Sequence, residues 1–140
     1  MRLQLLTIWD VEFIAYRVAA KTMSWNEPIP SFGTRYHDVL ERCIGQPFQT
    51  FDGRQLYPGL IKKTAILFYL MVKNHPFQNG NKRLAIVTLL WFLFLNKKWI
   101  KADNDKLYKL AKLVASSNPK HKEAILKAIE LFLDYYLVSV

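Results

Sequence analysis

The chain has 140 residues, 51% hydrophobic and 22% charged, with a formal net charge of +9. That is enough apolar material to close the core of one domain spanning 1–140, which excludes a disordered or low-complexity protein. A single cysteine, Cys43, excludes an intramolecular disulfide and a cysteine-based zinc site and fits a reducing compartment. Residues Met1–Leu6 show no apolar stretch ending in small residues of the secretory kind, so a cytoplasmic location is expected. The positive charge favours an anionic partner, whether nucleic acid, acidic membrane surface, nucleotide phosphates or acidic protein.

Thr7 with Asp10 three residues on has the form of a capping box and predicts a helix from Ile8 to about Lys21. Ser24 to Gly33, with Pro28 and Pro30, reads as a loop. A short helix is expected from about Thr34 to Cys43, ending at Gly45. The segment Gln46–Tyr57 reads differently. It places Asp52-Gly53 between short arms holding Phe51, Thr50, Arg54 and Leu56, which predicts a tight β-hairpin. Such a hairpin is either a plain connector or an exposed edge to which an extended peptide adds as a strand.

A further helix is expected from near Pro58 to about Asn74, with Ile61, Ala65, Phe68 and Val72 on one face. The run Leu84–Leu95, broken only by Thr88, would be a helix of about 18 Å, too short for the ~30 Å core of a bilayer. A helix apolar on every side must be enclosed by others, so residues 81–96 are expected to form the centre of the fold, with Trp91, Phe92 and Phe94 in the core. Asp103 or Asn104 then caps a helix to about Ser116, Asn118-Pro119 breaks it, and a last helix runs to about Leu137. Lys106, Lys109 and Lys112 recur at the spacing of a solvated helix face. The predicted fold is all-α, a helical bundle around a buried central helix with one short hairpin.

The turn into the central helix carries chemistry. It reads His75-Pro76-Phe77-Gln78-Asn79-Gly80-Asn81-Lys82-Arg83. Pro76 stops the preceding helix and holds an imidazole at the mouth of the loop. Asn79-Gly80-Asn81 tolerates the positive φ that turns successive N–H groups inward as an anion nest. Lys82 and Arg83 fall in the first turn, where the helix dipole opposes cations unless an anion compensates them. Any one of these residues alone fits a plain polar turn; together, with His75 a loop's length from a phosphate nest, they resemble a general base facing a phosphoryl acceptor site.

These nine residues resemble the Fic/Doc (Fido) motif His-x-Phe-x-Asp/Glu-Gly-Asn-x-Arg, in the form with lysine between Asn and Arg that marks the death-on-curing, or Doc, branch. The resemblance implies that His75 is the base taking a proton from a target protein's hydroxyl and that Phe77 anchors the loop. It assigns Gly80, Asn81, Lys82 and Arg83 to nucleotide phosphates, and Phe51, Asp52, Gly53 and Arg54 to a flap that registers the target by strand-like pairing. Adenylyl-transferring members have glycine where Lys82 stands and a second arginine where Ile86 stands. The Doc-like form implies instead transfer of the γ-phosphate of ATP to a Ser/Thr hydroxyl, with elongation factor Tu as the target the family suggests and arrest of translation as the result.

One position departs from the family. Where it has Asp or Glu as the Mg²⁺ ligand this chain has Asn79, a neutral oxygen, and weaker metal affinity is expected. No Ser/Thr-x-x-x-Glu-Gly/Asn inhibitory segment is found, so the expected brake is a separate antitoxin whose disordered segment folds as a helix on the toxin. The alternatives are a protein adenylyltransferase, a Fido fold without catalysis, and a basic helical module binding nucleic acid. The last is disfavoured by the scatter of Lys and Arg over many segments.

Overall fold

A computed structural model describes residues 2–22 and 31–140, apart from the side chains of residues 14–16, 19–20 and 22. The expected loop at Ser24–Gly33 therefore lies, as far as residue 30, outside the described residues.

The first helix opens as expected. The Thr7 hydroxyl accepts from the Asp10 N–H while the Asp10 carboxylate accepts from the Thr7 N–H, closing the capping box. After α1 (Ile8–Asp10) the winding widens to a π-type turn over Val11–Tyr16 and returns to α2 (Arg17–Thr22). A single 3-10 turn, Phe32–Thr34, precedes α3 (His37–Gly45), which starts about three residues later than its sequence suggests. The reason is a long-range contact: the Tyr36 N–H donates to Pro76 O at 2.8 Å, tying the start of α3 to the loop before the central helix.

The hairpin is present and shorter than Gln46–Tyr57. Gln46–Phe48 forms a 3-10 turn, and β1 (Thr50–Phe51) pairs antiparallel with β2 (Arg54–Gln55). Asp52 at φ +55° and Gly53 at φ +74° make the two-residue turn whose twist suits paired strands.

Helices α4 (Gly59–Lys73) and α5 (Asn81–Leu95) form the centre, with α3, α6 (Asn104–Ser116) and α7 (Lys122–Tyr136) packed on them. For α4 the expected single buried face is corrected, because every residue from Lys63 to Val72 is buried. The chain around Lys63, Thr64 and Tyr69 looks amphipathic, yet the polar atoms turn to local acceptors, as Thr64 Oγ1 does to Leu60 O at 2.8 Å. The expectation for α5 holds from Leu84 to Leu89 and at Phe92, but not at its end: Phe94 is 45% exposed and Trp91 half-buried. The central helix outruns the layer that covers it, and its aromatic end lines an apolar cleft of about 700 Å³ with Val87, Trp99 and Val138.

Asp103 caps α6 by accepting the Lys106 N–H, and the last carbonyls of α6 receive Lys73 Nζ, which donates to Ser117 O at 2.6 Å. Lys106, Lys109 and Lys112 are solvent-exposed as expected. A second small ribbon, β3 (Lys98–Ile100) with β4 (Leu137–Ser139), joins the end of α5 to the chain terminus and has no counterpart in the sequence reading.

Candidate active site

The motif is a loop between the two central helices. Helix α4 ends at Lys73 and is capped by Asn74, whose N–H donates to Leu70 O, and His75 follows with φ +49°. That left-handed place after a helix usually belongs to glycine, so an exposed histidine there carries strain of order 1 kcal/mol. Strain of this kind is retained where the fold over-determines the backbone, and here Pro76 and Phe77 are both buried, with Phe77 against Phe32 at 6.0 Å between ring centres. Phe77 is 1% exposed.

Asn81 locks the loop. Its Nδ2 donates to Phe77 O at 2.8 Å and its Oδ1 accepts the Phe77 N–H at 2.9 Å, so one buried side chain satisfies both backbone groups of the anchor residue. The side chain of Asn81 thus belongs to the loop, and what residue 81 can give an anion is its backbone N–H. Gly80, at φ +74° and ψ 17°, turns the chain into α5, and a Cβ there would be strained. The helical ladder begins with Leu84 N–H to Gly80 O, leaving the first-turn N–H groups outside it.

Two cations stand in that first turn. Arg83 is 4% exposed and Lys82 half-buried. At a helix N-terminus a guanidinium gains when an anion joins it. Imidazole, left-handed glycine, helix N-terminus and two cations therefore fall within nine consecutive residues, 75–83.

At the position where the family pattern carries an acid, Asn79 Oδ1 accepts the Gly80 N–H at 3.0 Å. Among the described residues no group of three or more His, Cys, Asp or Glu is placed to hold a metal ion. One neutral oxygen already engaged in a hydrogen bond does not by itself hold a metal ion, so magnesium here would depend on ligands the nucleotide brings.

The hairpin residues Phe51, Asp52, Gly53 and Arg54 are all exposed, and the structure roots them away from the loop. From Tyr36 beside Pro76, α3 carries the chain outward to Phe48, which packs edge-on against Phe92 at 5.9 Å near the far end of α5. Helix α4 then returns to His75 over its fifteen residues, a path of about 20 Å. Sequence reading missed Lys63, which sits behind the hairpin at 3% exposure. The available signal was a lysine on the same stripe as Leu67 and Leu70 in an otherwise apolar helix.

A helical fold in which a histidine-bearing loop joins the two central helices and leads into a cationic first turn is what the structure sets beside known proteins. The family model described as Fic/DOC family matches residues 7–93, more than half of the chain. The chain belongs to the Fic/Doc family. It is similar to Toxin Doc of Mycolicibacterium smegmatis, 34% identical over 71 residues, which are 51% of this chain and 55% of that protein. The chain thus spans about half the length of the curated relative it matches. No solved structure matches. The resemblance read from residues 75–83 is borne out, in its family and in its likeness to a Doc toxin. Among the described residues no helix is long and apolar enough to cross a membrane.

Proposed function

We propose that this protein is a Doc-type toxin that phosphorylates a Ser/Thr hydroxyl of a target protein in the cytoplasm, with ATP as donor and magnesium arriving on the nucleotide. The observation that carries the reading is the loop itself, in which exposed His75 precedes a left-handed Gly80 and a helix N-terminus bearing Lys82 and buried Arg83.

The roles follow from position. The N–H groups opening α5, with Lys82 and Arg83, hold the phosphates. His75 takes the acceptor proton as the hydroxyl oxygen bonds to the γ-phosphorus. The bond from that phosphorus to the β,γ-bridging oxygen breaks, and ADP leaves.

Two side chains favour phosphoryl over adenylyl transfer. Lys82 puts bulk and charge where glycine would admit the α- and β-phosphates closely. Ile86 is fully buried, so the second phosphate-binding arginine of adenylyl-transferring members has no equivalent there. A target segment that pairs with the hairpin and delivers its hydroxyl to His75 spans up to about 20 Å, or roughly six extended residues. An antitoxin with a disordered segment that folds as a helix restrains the enzyme.

Elongation factor Tu is the first target to test. Incubated with it, γ-labelled ATP should mark the target and α-labelled ATP should not. Label from the α-phosphate alone would replace this reading with adenylyl transfer, and label from neither would remove elongation factor Tu as the target.

A further inference from the structure

Lys63 lies on the second turn of α4 with 3% of its surface exposed, and no catalytic role in the scheme above uses it. Its ammonium donates to Gln55 Oε1 at 2.5 Å and to the Tyr57 carbonyl, and sits 5.5 Å from the centre of the Phe48 ring. All three partners come from the hairpin and its two roots, and none carries a negative charge. Burial without a counter-ion penalises the ammonium and lowers its pKa, so these neutral acceptors are what sustain it.

Among the described residues the hairpin in turn has little else. Its ladder is two residue pairs long, extended by the Leu56 N–H to Gln49 O, and residues Gln49 to Leu56 are all exposed. A ribbon of that size does not hold its shape alone. Across its base the Gln46 amide meets the Tyr57 hydroxyl at a long 3.4 Å. Lys63 is a charged tie between the hairpin and α4, and opening the hairpin would break both of its hydrogen bonds.

We propose that Lys63 is a positioning residue for target recognition: by binding Gln55 and the Tyr57 carbonyl it fixes the hairpin edge against which an extended segment of the target pairs. This rests on the kinase reading above. Lys63 touches neither nucleotide nor the reacting hydroxyl, so its loss acts on the target and leaves the nucleotide alone.

The test compares the full-length protein with Lys63→Met, Lys63→Arg and Gln55→Ala. The readouts are KM for elongation factor Tu, kcat, affinity for ATP, and amide hydrogen exchange over residues 49–57. Lys63→Met should raise KM for the target about tenfold while kcat and ATP affinity stay within about twofold, with faster exchange in the hairpin. Lys63→Arg should recover part of the KM. Gln55→Ala removes the acceptor from an exposed position and should move KM and exchange the same way even if Lys63→Met folds poorly. An active protein in which Lys63→Met and Gln55→Ala keep the wild-type KM overturns the role of Lys63, as does a fall in ATP affinity equal to the rise in KM. Failure of the unaltered protein to modify elongation factor Tu instead removes that target, and hydrogen exchange then decides alone: wild-type exchange over residues 49–57 in both Lys63→Met and Gln55→Ala overturns the role of Lys63.

Discussion

Replacing Asn81 with alanine should unseat the active loop more than any exposed substitution in it. The wild-type side chain makes two buried hydrogen bonds to the backbone of Phe77. Each is worth about 1 kcal/mol net, and their loss also leaves the Phe77 N–H and carbonyl without their partner in a site that is 7% exposed at Asn81 and 1% at Phe77. Together these give a cost of about 2–4 kcal/mol. With a urea slope of about 1–3 kcal/mol per molar, the midpoint should fall by roughly 1–2 M. Asn81→Asp keeps the acceptor for the Phe77 N–H but turns a carboxylate on the Phe77 carbonyl. The helix dipole returns only about 0.5 kcal/mol, so this variant should be intermediate. Urea unfolding followed by tryptophan fluorescence reads all three proteins. If Asn81→Ala unfolds within about 0.5 kcal/mol of wild type, the clamp on Phe77 is not what holds the loop.

Three further outcomes are expected. Asn79→Asp places a carboxylate beside nucleotide-bound magnesium and should lower the Mg²⁺ concentration for half-maximal transfer several-fold, about 1 kcal/mol, without changing which phosphate moves; identical magnesium titrations for Asp, Asn and Ala at this position would remove residue 79 from the metal's surroundings. Cys43 is fully buried, and burial pushes its thiol up to about 12, so iodoacetamide at neutral pH should label it only in urea; rapid labelling of the native protein would contradict the packing of α3. The Lys106 N–H bound to Asp103, aided by the Lys106 ammonium, holds that carboxyl below its usual value. Its contribution to α6 is therefore present above the ordinary aspartate pKa and fades as pH falls through the lowered one, so Asp103→Asn should keep the cap and flatten that part of the acid-unfolding curve.

What the sequence shows of this protein is what short range decides. The Thr7 and Asp103 caps, the Asp52-Gly53 turn and the whole loop His75–Arg83 are each set by residues a few positions apart, and each is found where expected. What it hides depends on contacts across the chain. Lys63 shares a stripe with Leu67 and Leu70, but what covers it is legible only in the folded hairpin, which brings Phe48, Gln55 and Tyr57 together. The β3–β4 ribbon joins Trp99 to Val138, residues too far apart in sequence for any local pattern to reveal. Asn81 fits a phosphate nest by type, yet its side chain serves Phe77, because in the fold the anchor's backbone lies closest to it. The exposure of Phe94 follows from where the covering layer ends, and hydropathy along α5 carries no mark of that edge.

The most direct test of His75 as the base is the intact mass of elongation factor Tu after incubation with ATP and Mg²⁺ and either wild-type protein or His75→Ala. Wild type should add one phosphoryl group, about 80 Da, and His75→Ala should add nothing while binding ATP as tightly as wild type. Addition of one adenylyl group, about 329 Da, or an unchanged phosphoryl yield from His75→Ala, would contradict the account.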